Sequence, residues 1–101
     1  GHSTYFVKLS DILYFESVDR KVKIKTLVGE AYFYGAIQDV AERVKNRAFF
    51  IPHKSYLVNY GFVKSFHPDC MYLVNSERIP VAKGKRKEVA KMQLKLENGG
   101  K

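Results

Sequence analysis

Val22-Lys23-Ile24-Lys25-Thr26-Leu27 opens on alternating apolar and polar side chains, Val22 and Ile24 against Lys23 and Lys25. A period of two residues marks a strand with one face in a core and the other in water, whereas a helix spaces its apolar residues three and four apart. This stretch sets the class, and the chain reads as mostly β. Toward the N-terminus, charged Asp19-Arg20-Lys21 is a turn that joins it to a second strand, Ile12-Leu13-Tyr14-Phe15-Glu16-Ser17, and Tyr5 to Leu9 reads as an earlier one. Toward the C-terminus, Val28-Gly29-Glu30 turns the chain into the aromatic run Ala31-Tyr32-Phe33-Tyr34. The first third is thus an antiparallel meander.

After Gly35 the period changes. Ile37, Val40, Ala41 and Val44 fall at i, i+3, i+4 and i+7, the apolar stripe of a short helix with Asp39, Glu42, Arg43 and Lys45 on its outer face. Strand-like runs return as Phe49-Phe50-Ile51, Tyr56-Leu57-Val58-Asn59, Phe62 to Phe66, Met71-Tyr72-Leu73-Val74 and Arg78-Ile79-Pro80-Val81. Pro68-Asp69 and Asn75-Ser76-Glu77 are turns between the later ones. From Lys85 to Leu96, Val89, Met92 and Leu96 share one face of a C-terminal helix, and residues 98–101 read as a frayed end. Many short strands around one central helix argue for stacked antiparallel sheets with helices on an edge or end. In such a stack both faces of Tyr32-Phe33-Tyr34 are expected to be packed, although exposed aromatics of this kind would instead stack unpaired bases.

At 101 residues the chain holds one domain. Its 46% hydrophobic and 14% aromatic content supports a real core. Eighteen Lys and Arg against ten Asp and Glu leave a charge of +8, which favours an anionic partner. The surplus is +2 over residues 1–50 and +6 over the rest. One cysteine, Cys70, excludes an internal disulfide, and no apolar run is long enough to span a bilayer, so a reducing cytoplasm fits and no membrane partner is expected. Gly1-His2-Ser3 reads as the remnant of a cleaved tag, which puts the domain at residues 4–97 and the frayed end at 98–101.

Catalytic chemistry finds no equipment. His67 and Cys70 make half a metal site with no second Cys/His pair to complete it. The acidic residues are scattered singly, without a carboxylate pair for acid and base work or for holding two magnesium ions. No enzyme, metal or cofactor is expected.

Four segments carry a likeness that periodicity alone does not: Asp11 to Ser17, Phe49-Phe50-Ile51-Pro52-His53-Lys54-Ser55-Tyr56-Leu57-Val58-Asn59, Phe62 to Phe66, and Ile79-Pro80-Val81-Ala82-Lys83. Together they resemble the LytTR family of DNA-binding domains. The most specific is the second, with Phe50, His53, Ser55, Tyr56, Val58 and Asn59 in the family's pattern. The resemblance implies an elongated stack of small antiparallel sheets with one short central helix and a C-terminal helix. It also implies DNA binding through loops laid into successive grooves of one duplex face. Relatives commonly bind paired direct repeats as dimers and follow an N-terminal receiver domain, as in two-component response regulators of transcription. Two departures stand out: Ile51 and Pro52 occupy positions where Arg often precedes the His, and Lys83 stands where many members have Arg. Lys lacks the planar fork that grips guanine at two points, so base selectivity there is expected to be softer.

Sequence-specific binding needs cations and hydroxyls on phosphates and a few side chains at base edges. By the resemblance, Arg20 or Lys21, Lys54 and Lys83 are the base-reading candidates, Lys54 toward a minor groove and Lys83 into a major one. His53, Ser55, Lys85, Arg86 and Lys87 are the phosphate candidates. Gly84 lets the backbone approach closely, and amides at the start of the C-terminal helix face a phosphate. A basic run at a helix start opposes the macrodipole, so an anionic partner explains it better than solvation alone. Each reading has a plainer counterpart: a charged hairpin tip at 19–21, a packed histidine at 53, a turn-tying amide at Asn59, and edge protection by Lys64 and Arg78. Beyond duplex DNA, two other classes stay open: a small β-barrel module for single-stranded nucleic acid, and a protein-interaction domain whose charge serves solubility.

Overall fold

The alternating stretch folds as β2 (Lys21–Thr26), between β1 (Ile12–Val18) and β3 (Glu30–Tyr34). A computed structural model describes residues 7–99 of the protein. The chain continues through α1 (Ile37–Arg43), β4 (Phe49–His53), β5 (Tyr56–Asn59), β6 (Val63–Phe66), β7 (Cys70–Leu73), β8 (Arg78–Pro80) and α2 (Arg86–Gly99). Two antiparallel sheets result, one of five strands in the order β3-β2-β1-β5-β4 and one of three in the order β6-β7-β8. The expected mostly β stack with two helices is thus the observed fold.

Each face of the larger sheet has its own core. On one, Val40 of α1 and Val44 just past its end, with Ile37 and Ala41 partly buried, close over Ile12, Phe15, Val22 and Leu57. On the other, Leu13, Tyr14 and Val58 meet Met71, Leu73 and Ile79 of the smaller sheet, sealed by Val81 and by Val89 of α2. Consecutive Leu13 and Tyr14 share that second core because the register against β2 shifts between Ile12 and Tyr14. The bulge leaves Leu13 without an opposite residue and breaks the strict alternation. Burial of side chains of this size is worth about 1.5–3 kcal/mol each, so the layers hold through these contacts. The molecule measures 48 × 28 × 25 Å, elongated as expected.

Several boundaries differ from the sequence reading. Leu9 lies in a 3-10 turn, Leu9–Asp11, packed on the α1 core, and Val7 and Lys8 precede it outside any strand, while Tyr5 and Phe6 fall outside the described residues. Phe62 closes a 3-10 turn, Tyr60–Phe62, so β6 starts at Val63. Lys85 ends a further 3-10 turn, Lys83–Lys85, and α2 begins at Arg86 and runs to Gly99.

The largest correction concerns Tyr32-Phe33-Tyr34. β3 is an edge strand, exposed along its whole length, with Tyr32 51%, Phe33 38% and Tyr34 79% accessible. The α1 core reaches β1, β2 and β5, and the smaller sheet covers residues of β1 and β5 on the other side, so no layer packs over the β3 aromatics.

Candidate nucleic-acid interface

The strand registers decide which turns meet. Val18 pairs with Lys21, Lys21 with Tyr34, and Glu16 with Tyr56. The β1–β2 turn, the β4–β5 turn and the joint from β3 to α1 therefore leave the sheet at the same end. The Ser17 amide donates to the Ser55 carbonyl at 2.8 Å and ties the first two turns together. The Ala82 amide donates to the Pro52 carbonyl at 2.9 Å and brings the Lys83–Lys85 turn alongside β4. Three cationic segments far apart in sequence, bearing Arg20 and Lys21, Lys54, and Lys83, are thereby lined up.

In the first turn Asp19 has φ 57°, a left-handed conformation that Asp tolerates better than most residues. Arg20 is exposed at the corner. Lys21 lies with its Nζ 5.2 Å from the centre of the Tyr34 ring, a cation–π contact that holds it toward the sheet edge. Between this turn and the next runs an open groove whose lining includes Asp19, Arg20, Gln38, Lys54 and Ser55.

The β4–β5 turn is internally braced. His53 Nδ1 accepts the Ser55 amide at 3.1 Å, and its ring meets Tyr56 edge-on at 5.7 Å. That bond needs an unprotonated Nδ1, so an outside contact by His53 falls to Nε2. Lys54 is exposed at the tip and Ser55 is half-buried. Asn59, also buried, donates to the Ile12 carbonyl at 3.0 Å and accepts the Gly61 amide at 2.9 Å, which makes it the turn-tying amide of the plainer reading.

In the third segment Lys83, Arg86 and Lys87 are exposed, and Lys85 is half-buried with Glu88 at 3.6 Å. A Cβ on Gly84 would meet nothing within 4 Å, so the fold itself does not require glycine there. Among the described residues no salt bridge engages Arg20, Lys21, Lys54, Lys83, Arg86 or Lys87. Lys64 is exposed, and Arg78 sits 3.9 Å from Asp69.

Behind the turns lies a polar network that the sequence did not announce. Lys23 bridges Glu16 at 3.3 Å and Glu30 at 3.5 Å, and Tyr56 donates to Glu16 at 3.1 Å. Tyr14 donates to Glu77 at 2.7 Å across the two sheets. Burial, reinforced by Glu77, pushes the Tyr14 phenol well above its usual range, and burial with Glu16 raises that of Tyr56. Asp19, read from the sequence only as part of the charged turn, also lines the groove, and Gln38 is a groove residue that the sequence reading did not include. The available signal for Gln38 was its place at the start of the helix just past Gly35. Cys70 is buried, His67 Nε2 lies 3.1 Å from Ser65 Oγ, and the described residues hold no group of three candidate metal ligands. Among the described residues no helix is long and apolar enough to cross a membrane.

Unpaired cations on braced turns at one end of a rigid two-sheet scaffold are the equipment of a nucleic-acid-binding domain. The family model described as the LytTr DNA-binding domain matches residues 2–94, and the chain belongs to that family. It is accordingly a DNA-binding domain of the kind that serves transcription regulation. Among solved structures it is similar to the LytTr DNA-binding domain of a Bacillus cereus protein assigned as a methyl-accepting/DNA response regulator. The TM-score is 0.79 at 23% identity, over 86% of this chain and 84% of that one, a shared fold. A search of curated proteins gave no match.

Proposed function

We propose that this chain binds double-stranded DNA sequence-specifically, as the output domain of a bacterial two-component response regulator acting in the cytoplasm. The observation that carries the reading is the alignment of three cationic turns by the Ser17–Ser55 and Ala82–Pro52 hydrogen bonds. Cations spaced along one end of a rigid body suit successive grooves of one duplex face. Arg20 is favoured over Lys21 as base reader in the first turn, because Lys21 is drawn to Tyr34. Lys54 and Lys83 are the other base readers. Arg86 and Lys87 are the principal phosphate contacts, joined by Ser55, by Lys85 when it leaves Glu88, and by His53 through Nε2. The domain works as a dimer on paired direct repeats, downstream of a receiver domain, and has no catalysis or cofactor of its own.

A second reading, binding of single strands, draws on the exposure of Tyr32 and Tyr34. A gel-shift titration with duplex and single-stranded competitors over a salt series separates the two. Duplex preference with discrimination between sequences is the expected result. Preference for single strands would overturn it in favour of the second reading, and the absence of any shift would overturn both. Each phosphate neutralised contributes about 0.9 to the log–log salt slope, so Arg86→Ala is expected to lower it by roughly that amount.

A further inference from the structure

An open strand edge is a template for another strand, and proteins commonly blunt such edges with charge, proline, bulges or a covering loop. Three of the four sheet edges here are treated in this way. β4 contains Pro52, has an irregular register between Phe50 and His53, and is bonded by Ala82. β6 carries exposed Lys64 beside a register shift, and β8 is the short Arg78-Ile79-Pro80. β3 is the least protected: its register against β2 is unbroken from Glu30 to Tyr34, it has no proline, lysine or arginine, and its one charge, Glu30 at the first position, is paired with Lys23 of β2 at 3.5 Å.

The hydrogen-bond phase of that edge can be worked out. Gly35 donates to the Arg20 carbonyl and Thr26 to the Gly29 carbonyl at the two ends of the β2–β3 ladder. Bonding alternates along an antiparallel pair, so Ala31 and Phe33 turn their amides and carbonyls toward β2. Those of Glu30, Tyr32 and Tyr34 then point outward, in phase.

We propose that β3 is a self-association edge through which two copies of the chain join antiparallel about Tyr32. In that register the outward amides and carbonyls of Glu30, Tyr32 and Tyr34 meet those of the other copy's Tyr34, Tyr32 and Glu30. The strand is complementary to itself: small Ala31 faces large Phe33. Glu30 comes beside Tyr34, whose β2 neighbour is Lys21, a cation without a carboxylate partner among the described residues. Such an interface is isologous and closes as a dimer. One five-residue edge lies at the small, weak end of protein interfaces. The two-fold axis reverses strand direction, so the cationic ends of the two copies point opposite ways and hold two separate duplex segments. That arrangement differs from neighbouring copies in one orientation on direct repeats, and its bridging step rests on the DNA-binding reading above.

Sedimentation equilibrium of the 101-residue chain from micromolar to millimolar concentration reads the association directly. Tyr32→Pro removes an outward amide that β2 does not use. It is expected to weaken association roughly tenfold or more, since both copies lose a bond at the axis, while duplex gel shifts persist. As a check independent of proline's effect on folding, Tyr32→Cys is expected to cross-link under mild oxidation, and Leu27→Cys at the far hairpin tip is not. A monomer at every concentration with no cross-link at 32, or equal cross-linking at both positions, would overturn the proposal. Capture of a labelled duplex by a bead-bound one tests the two-ended geometry. A dimer that binds DNA without bridging would refute that geometry. Loss of all gel shifts in the wild-type chain would instead sink the DNA reading and leave the sedimentation result standing.

Discussion

Lys83 and Arg86 stand three residues apart and are assigned different work. Lys83→Ala is expected to lose discrimination between the selected site and scrambled duplex, by about 1–3 kcal/mol at the base pair it touches, while Arg86→Ala weakens both alike. Gel-shift titrations on the two duplexes measure this, and equal losses for both variants would refute the assignment. Tyr14 gives a prediction of another kind. Its phenol is held in the neutral form by burial and by Glu77, so its folded pKa lies above the ordinary 10.0. Stability from this group is therefore fully present below that value and declines as pH rises through and beyond it. Tyr14→Phe is expected to cost about 1.5 kcal/mol at neutral pH and to flatten the alkaline decline, read from urea midpoints at a series of pH values. Nothing in the sequence pairs Tyr14 with Glu77, because a contact across 63 positions depends on how two sheets stack. Asn59, by contrast, was legible as a turn-tying amide, since one of its two bonds is local.

At the scale of elements, the β1–β2 turn carries an anion, Asp19, next to Arg20, the cation proposed to read bases. Asp19→Asn keeps a residue that tolerates the left-handed conformation and removes a negative charge from the groove shared with Arg20 and Lys54. Duplex affinity is expected to rise several-fold at low salt and to converge with the wild type as salt screens the difference. Salt-dependent fluorescence anisotropy would measure it, and weaker binding would refute the assigned orientation of the turn. The meander, α1 and the later strands were readable because alternation and the i, i+3, i+4 stripe report directly on burial. The β3 error shows the limit of that signal: Tyr32-Phe33-Tyr34 announces a strand, but whether a layer covers it is decided by the placement of α1 and the smaller sheet. The Tyr5–Leu9 run likewise had strand composition, yet Leu9 entered a 3-10 turn and packed against the α1 core. The candidate site was legible as three separate cationic segments through the family resemblance. Their alignment depends on two long-range backbone bonds that no local pattern reveals.

For the whole molecule, the excess charge lies mainly in residues 51–101, whereas the groove at the first turn contains an acid, so the segment around Lys83 to Lys87 is expected to dominate the salt dependence. A body 48 Å long covers at most about 14 base pairs at 3.4 Å per pair, so hydroxyl-radical footprinting of one domain should protect no more than that. The bonds from Ser17 and Ala82 flank the Lys54 tip on both sides, and their consequence reaches into the operator. With Arg20 and Lys83 as the proposed base readers, turns tied in this way would act as a caliper: one base pair inserted between their two target bases is expected to turn one of them away by roughly 35° and weaken binding, measured on duplexes of altered spacing.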